Sequence, residues 1–277
     1  MESARTAALG VCSWSLRPRD PAALAAEVRA AGLDAVQLAL VPMLEDPRHW
    51  SGGVETLRGA GIRILSGMMA TLGEDYSTLE SIARTGGLRP RATWEANLDR
   101  ALRLADIAAG AGIRLVTLHA GFIPHAAADP ERPELLDRLR TVVEVFARRG
   151  VDVGLETGQE RAETLAEVLT ELSLPTLGVN FDPANVILYG MGDPIAAMER
   201  LAPWIRQVHV KDALPSASPG TWGREVPAGG GAVDWTAFAG VLHRLPRRVD
   251  LVIEREAGDS RVADVAAARA LAAPMLR

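Results

Sequence analysis

The sequence is poor in cysteine, in long apolar runs and in clustered positive charge, and each shortage excludes a class of protein. Cys12 is the only cysteine among 277 residues, which excludes a disulfide framework and a cysteine-rich zinc site. No apolar run approaches the roughly 18 residues that a membrane helix needs. The first 14 residues, MESARTAALGVCSW, lack the apolar core of a signal peptide. We therefore expect a soluble cytoplasmic protein that makes no membrane contact.

Lysines and arginines are too few and too scattered to form a basic surface. There are 30 of them against 35 aspartates and glutamates, and the formal net charge is −5. Because nucleic-acid phosphates demand clustered positive charge, the sequence predicts no nucleic-acid partner. Hydrophobic residues make up 48% of the chain, which is enough for a large core. An enzyme or a binding protein fits these limits.

Short apolar runs alternate with amphipathic segments rich in alanine, leucine, arginine and glutamate. The runs predict strands at 7–14, 34–40, 62–68, 113–121, 151–157, 176–182, 205–212 and 249–258. The amphipathic segments predict helices at 20–32, 47–60, 91–112, 132–149, 161–172, 194–201, 234–243 and 260–273, with long loops at 71–90 and 213–231.

Strict alternation of strand and helix predicts a parallel sheet with right-handed crossovers. Eight repeats in a chain of this length predict an α/β fold, namely a (β/α)8 TIM barrel that forms a single domain over 1–277. A doubly wound open sheet is the alternative. It is less favoured because no glycine-rich dinucleotide or phosphate fingerprint follows the first strand.

Polar residues at the strand ends are the candidates for function, because active sites of such barrels lie at the C-terminal face. Five successive predicted strands end in, or carry near their ends, a potential metal ligand: His119, Glu156, Asp182, His209 and Glu254. Each also has a purely structural explanation. Asp182 could cap a turn, His209 could be a core histidine, and Glu254 could pair with a nearby arginine.

Taken together, these groups favour a metal site. Carboxylates and imidazoles gathered at one rim without a counter-charge cost several kcal/mol in desolvation and repulsion. A divalent cation removes that cost. Three carboxylates and one imidazole form an oxygen-rich set that favours Mn²⁺, Mg²⁺ or Co²⁺, with Zn²⁺ as a further possibility.

The stretch VHVKDA (208–213) carries three polar residues at the end of the seventh predicted strand. His209 would point inward as a ligand, and Lys211 shares its face because side chains alternate along a strand. Lys211 could lie beside the substrate as a cation, or form a salt bridge with Asp212 or Glu256. Asp212 would point away and orient a neighbour.

Five stretches carry a family resemblance, and they lie in the C-terminal half: VGLETG, GVNFDPANVILYGMGDP, IRQVHVKDA, VPAGGGAVDW and LVIEREAG. The chain resembles the sugar phosphate isomerase/epimerase superfamily of xylose isomerase-like TIM barrels. That group includes ketose 3-epimerases, hydroxypyruvate isomerase, inosose dehydratase and endonuclease IV. With five histidines in all, the chain does not resemble the histidine-rich site of endonuclease IV.

The resemblance implies that one divalent ion, Mn²⁺ foremost, binds at Glu156, Asp182, His209 and Glu254. It implies a sugar isomerase or epimerase that acts on a keto sugar or a polyol-derived ketone through a metal-bound enediolate. Glu156 and Glu254 would then also serve as the acid and base, and a homodimer or homotetramer is expected. The side chains expected to contact a small carbohydrate substrate are His119, Lys211, Asn185, Trp14, Gln37 and Glu256, with Phe122 and Trp222 beside its apolar face.

Three departures from the epimerase pattern keep other functions open. Asn185 replaces a histidine, Gln37 stands where many relatives have glutamate, and Gly230 replaces an acidic residue. The first alternative is a lyase or dehydratase, which would eliminate water from an inosose or a group from a 3-keto sugar or C-glycoside. The second is a non-catalytic sugar-binding protein.

Overall fold

Eight parallel strands close into a barrel in the computed structural model, which describes residues 6–276. The order around the barrel follows the chain, from β1 to β7 and then β10, which pairs back with β1. The barrel strands are β1 (Leu9–Cys12), β2 (Ala35–Ala39), β3 (Arg63–Met68), β4 (Leu115–Leu118), β5 (Asp152–Glu156), β6 (Leu177–Phe181), β7 (Ile205–Val210) and β10 (Asp250–Ile253). Each lies within its predicted range, and the TIM barrel prediction is confirmed.

Helices surround the barrel, and several begin where a carboxylate caps the first turn. Asp20 accepts a hydrogen bond from the Ala23 amide ahead of the first helix, and Asp234 accepts one from the Ala237 amide. The helices are α1 (Pro21–Ala30), α2 (Val41–Glu45), α3 (Pro47–Trp50), α4 (Gly53–Gly59), α5 (Leu79–Thr85), α6 (Arg91–Gly110), α7 (Arg132–Ala147), α8 (Ala162–Leu172), α9 (Pro183–Leu188), α10 (Pro194–Leu201), α11 (Trp235–His243) and α12 (Arg261–Ala272). Over the described residues, no helix combines the length and apolarity needed to cross a membrane.

The sequence predicts one helix at 47–60, but the structure has two shorter helices there. Pro47 begins α3, and Gly52 adopts a left-handed conformation with φ of 72° before α4 begins. A proline in the first turn and a left-handed glycine both favour a helix boundary at these points. The first predicted strand is also shorter than expected, because Ser13–Leu16 turns into a 3-10 helix directly after β1.

Both predicted long loops contain regular structure. The loop at 71–90 holds α5, whose first turn is closed by reciprocal hydrogen bonds between Thr78 and Ser81. The loop at 213–231 is flanked by β8 (Asp212–Leu214) and contains β9 (Arg224–Val226), which pair as an antiparallel ribbon. The short helix α9 was also not predicted. It begins at Pro183 because Asp182 accepts from the Asn185 amide.

A layer of neutral polar side chains crosses the barrel interior beneath its C-terminal face. The Ser66 hydroxyl donates to Gln207 Oε1 at 2.6 Å, and Gln207 Nε2 donates to Asn180 Oδ1 at 3.1 Å. Gln37 Nε2 donates to the Thr117 hydroxyl at 2.8 Å. All five residues are buried. Because each polar group finds a partner, the layer crosses the interior without the cost of unsatisfied polar atoms.

Asp212 anchors the connection between β7 and α11. Its carboxylate accepts from the amides of Gly229 and Gly231 at 2.9 and 3.0 Å, from the Val233 amide at 3.2 Å and from the Trp235 indole N–H at 3.0 Å. Asp212 is buried, so water could not accept these hydrogen bonds if the carboxylate were lost. The expectation that Asp212 points away from His209 and orients a neighbour agrees with these contacts.

Replacement of Asp212 by asparagine should lower the free energy of unfolding by roughly 3 kcal/mol, because an amide NH₂ would face backbone donors that need an acceptor. Urea unfolding monitored by circular dichroism measures this difference. Asp259→Asn is the control, because the Asp259 side chain is fully exposed. Equal losses in the two variants would show that the Asp212 contacts do not stabilise this connection.

Candidate active site

Four side chains meet at the C-terminal face from four adjacent strands. Glu156 ends β5, Asp182 follows β6, His209 lies near the end of β7, and Glu254 follows β10. One ligand atom from each lies within 4.8 Å of all the others, and all four residues are buried. We call these residues the quartet. The sequence prediction that they lie together agrees with this geometry, since neighbouring parallel strands present their ends at one rim.

His209 points Nδ1 at all three carboxylates of the quartet. This nitrogen lies 3.3 Å from Asp182 Oδ2, 3.4 Å from Glu254 Oε2 and 3.6 Å from Glu156 Oε1. On the other side of the ring, Nε2 lies 2.7 Å from Gln37 Oε1. Asn180 Nδ2 lies 3.0 Å from the same nitrogen.

Burial opposes protonation of this ring, but Cys12, Glu254 and Glu156 outweigh it and raise the pKa of His209 well above its usual value. A cation bound among the carboxylates would take the place of the proton on Nδ1, while Nε2 keeps its proton toward Gln37. A ring held in this way by a neutral acceptor is typical of a metal-ligating histidine.

The two glutamates of the quartet have different partners. Glu254 Oε1 accepts from the Trp14 indole at 2.7 Å, and Oε2 accepts from the Lys211 ammonium group at 2.8 Å. Glu156 Oε1 accepts from Asn185 Nδ2 at 3.0 Å, and His119 Nε2 lies 3.6 Å from the same oxygen. Glu254 is therefore held by a cation and an indole, and Glu156 by a neutral amide and an imidazole.

Burial raises the pKa of each carboxyl group of the quartet, and nearby positive charges lower it. Burial opposes ionisation of Glu156, but His119 and His209 outweigh it and place the pKa of this carboxyl below its usual range. Burial likewise opposes ionisation of Glu254, but Lys211 and His209 lower its pKa well below the usual range. For Asp182, burial prevails over Lys211 and raises the pKa. Both glutamates are therefore carboxylates at neutral pH.

The donor set fits a divalent cation. Three buried carboxylates surround one imidazole nitrogen, and Lys211 is divided between Glu254 and Glu256, which lies outside the quartet. The quartet therefore keeps an excess of negative charge that a divalent ion would neutralise. Carboxylate oxygens with one imidazole suit Mn²⁺, Mg²⁺ and related ions better than thiophilic metals. Glu156, Asp182, His209 and Glu254 would hold the ion.

A cavity of about 560 Å³ opens above the quartet. Of the residues predicted to contact a substrate, four line it: Trp14, His119, Asn185 and Glu256. Trp222 lines it as well, whereas Phe122 packs behind Tyr189 with ring centroids 5.7 Å apart. Gln37 and Lys211 are buried beside the quartet, where they contact its side chains.

Sequence reasoning missed six residues of the cavity wall: Met68, Ala70, Glu74, Tyr76, Leu188 and Tyr189. Glu74 and Tyr76 belong to the segment between β3 and α5, which had been predicted as loop only. Tyr189 follows α9 and packs edge-on against Trp222, with ring centroids 4.8 Å apart. The aromatic pair at 189 and 222 had no sequence signal, because the contact depends on the β8–β9 ribbon that places Trp222 over α9.

Comparison with known proteins relates the chain to one family. The family model described as "Xylose isomerase-like TIM barrel" matches residues 25–274. A xylose isomerase domain protein from Planctomyces limnophilus has a solved structure that is 32% identical, covers 90% of this chain and 91% of that chain, and superimposes with a TM-score of 0.84. The structure of an L-ribulose 3-epimerase is 16% identical, covers 98% and 94% of the two chains, and has a TM-score of 0.72. At that identity it shows the fold alone.

One curated relative has a known reaction. The 3-dehydroshikimate dehydratase of Bacillus anthracis is 35% identical over 86 residues. The matched segment spans 30% of this chain and 30% of that protein. The likeness therefore concerns less than a third of either chain.

Gln37→Met should weaken metal binding by roughly ten- to hundredfold, because the acceptor that orients His209 is lost. Calorimetric titration of the purified protein with Mn²⁺ measures the affinity without any need for turnover. Asn97→Leu is the control, since Asn97 is an equally buried amide on α6, where it accepts from the Leu72 amide and contacts no member of the quartet. If both variants bind Mn²⁺ like the wild type, Gln37 does not position a metal ligand.

Glu160 offers a test of stability against pH. Burial raises the pKa of Glu160 from 4.5 to about 8. Because the folded-state pKa lies above the unfolded one, the folded protein binds this proton more tightly, and stability falls as pH rises from about 4.5 to about 8. Glu160→Gln should therefore be the more stable protein at pH 8, by an amount on the order of 4 kcal/mol. Near pH 4.5 the two proteins should be equally stable.

Urea unfolding at pH 5 and pH 8 measures this difference. Glu167→Gln is the control, because Glu167 is exposed on the neighbouring helix α8. If the difference in free energy of unfolding between wild type and Glu160→Gln is the same at both pH values, Glu160 is ionised in the folded protein throughout this range.

Proposed function

Because the chain belongs to the xylose isomerase-like TIM barrel family, we propose that it is a divalent-metal-dependent isomerase or epimerase of a keto sugar or polyol-derived ketone. One observation carries the proposal. Glu156 and Glu254 both contribute to the buried quartet, and both line the same cavity. A substrate in that cavity would therefore meet a carboxylate from each of two separate strands.

We assign the ion to the quartet, with Mn²⁺ as the first candidate and Mg²⁺, Co²⁺ or Zn²⁺ as the others. When bound, such an ion polarises a substrate carbonyl and acidifies the adjacent C–H group. His209 and Asp182 are buried and lie outside the cavity wall, so in this proposal they act as ligands only.

The two glutamates would transfer the proton. One carboxylate removes the proton from the carbon beside the carbonyl, and the other carboxyl group returns a proton to the opposite face of that carbon or to its neighbour. Return to the opposite face gives an epimer, and return to the neighbouring carbon gives an aldose–ketose isomer. The lowered pKa values of Glu156 and Glu254 support two carboxylates before the substrate binds, either of which can act as the base. The other glutamate must then take up a proton, from a substrate hydroxyl group or from water, before it can return one to the carbon.

The remaining cavity residues would orient the sugar. Trp14 and Trp222 line the cavity and can pack against the apolar C–H face of a sugar ring or chain. Asn185 reaches both sides of the site, because its Nδ2 donates to Glu156 and its Oδ1 accepts from Lys211 at 3.3 Å. Its contacts favour a role in fixing the glutamate positions beside the substrate.

A lyase is the second candidate, and His119 is the observation that favours it. His119 Nε2 lies 3.6 Å from Glu156 Oε1, while its Nδ1 is buried and has no hydrogen-bond partner among residues 6–276. An imidazole beside Glu156 could protonate a hydroxyl group as it leaves the substrate. An epimerase does not need such a step. The segment of 35% identity to a dehydratase points the same way. In this reaction the carbanion formed by Glu156 or Glu254 would expel a group from the next carbon.

Glu156→Gln and Glu254→Gln should each lower turnover of the substrate by at least about a thousandfold, because each removes a proton-transfer group. A panel of keto sugars, assayed by chromatography and mass spectrometry, supplies the measurement. Chelation should abolish turnover of the wild type and Mn²⁺ should restore it. A product of unchanged mass identifies an isomerase or epimerase, and a loss of 18 mass units identifies a dehydratase.

Glu199→Gln is the control, because Glu199 is exposed on α10 and pairs with Arg244. Substantial activity in either active-site variant would contradict the two-glutamate mechanism. A wild type that binds sugars but neither binds metal nor converts any of them would instead support the non-catalytic sugar-binding alternative.

A further inference from the structure

Two carboxylates beyond the quartet line the cavity. Glu74 comes from the segment after β3, where its Oε1 accepts from the Thr71 hydroxyl at 2.8 Å and from the Gly87 amide at 3.2 Å. Glu256 comes from the segment after β10, and its Oε2 accepts from Lys211 at 2.6 Å. With Glu156 and Glu254, four carboxylates face the same space.

Lysine and arginine are missing from the cavity wall among residues 6–276. Lys211 is only 2% exposed, and its ammonium group is paired with Glu254 and Glu256. Arg255 lies between these two glutamates in the sequence, but its guanidinium is paired with Glu225 and Asp264. Neither cation is therefore available to a substrate anion.

A bound metal ion would leave the net charge around the cavity negative. With Asp182, five carboxylates surround the cavity and the quartet. When all five are ionised and the histidines are neutral, one divalent ion and Lys211 supply three positive charges against five negative ones, which leaves a formal charge of −2. An anionic group on a substrate would therefore meet net repulsion in a partly dehydrated space, where charges are screened less than in water.

We propose that this cavity selects uncharged sugars and rejects phosphorylated and carboxylated ones. The inference rests on the proposed function, since it takes the cavity above the quartet as the substrate site. Trp14, Tyr189 and Trp222 offer apolar contact to a neutral sugar, and the carboxylates accept hydrogen bonds from its hydroxyl groups. A substrate that carries a carboxylate, as 3-dehydroshikimate does, is disfavoured at this site.

Binding of D-fructose and D-fructose 6-phosphate to the Mn²⁺-loaded full chain tests the inference. Quenching of tryptophan fluorescence reports binding without turnover, because Trp14 and Trp222 line the cavity. We expect D-fructose 6-phosphate to bind at least roughly tenfold more weakly than D-fructose at low ionic strength, and added salt should narrow the gap.

Glu74→Gln and Glu256→Gln separate charge from shape, because each replaces a carboxylate by an amide of almost the same size. Each should reduce the ratio of the two dissociation constants by roughly fivefold. Glu199→Gln removes one negative charge from exposed α10 and should leave the ratio at the wild-type value.

Equal binding of the two sugars by the wild type would overturn the inference, whereas chelator-sensitive turnover of a keto sugar would still support the proposed function. The inference would also be overturned if D-fructose 6-phosphate bound weakly to the wild type and equally weakly to Glu74→Gln and Glu256→Gln. Its exclusion would then be steric. If neither sugar binds, both the inference and the assignment of the cavity as the sugar site are wrong.

Discussion

The concentration of buried negative charge around one imidazole nitrogen is the constraint on which the rest of this site depends. Closure of the barrel brings the ends of β5, β6, β7 and β10 together, and the three carboxylates then lie within 3.6 Å of His209 Nδ1. Such a set is costly in a protein interior unless positive charge compensates it. Lys211 supplies part of that compensation, and the geometry leaves a divalent ion as the natural source of the remainder.

The layer of polar side chains below the quartet is uncharged, so it adds no further negative charge to the barrel interior. TIM barrel interiors are ordinarily filled by branched apolar side chains, but here Gln37, Thr117, Asn180 and Gln207 are buried and hydrogen-bonded. An amide at position 37 accepts the His209 N–H without adding a further negative charge beneath three carboxylates. The departure from glutamate at this position is therefore compatible with a quartet that is already strongly acidic.

The barrel and the quartet were predictable because their signals are local. Apolar runs predicted the strands, and the residues of the quartet lie near, at or directly after the strand ends. The cavity wall was less predictable, because its residues depend on contacts between distant segments. Tyr76 lies in a segment ordered by the turn between Thr78 and Ser81, and Trp222 reaches Tyr189 only through the β8–β9 ribbon. Alternation along β7 placed Lys211 correctly on the face of His209, but it could not distinguish a substrate contact from the ion pairs that the fold forms.

Asn185 and Lys211 make the surroundings of the two glutamates unequal. A continuous chain of hydrogen bonds runs from Glu156 through Asn185 and Lys211 to Glu254. At one end the carboxylate meets a neutral amide, and at the other it meets an ammonium ion. Glu156 and Glu254 hold equivalent places in the quartet, yet the electrostatic field at each differs. Residues at corresponding strand ends are equivalent by position alone, but here the fold gives the two glutamates different surroundings.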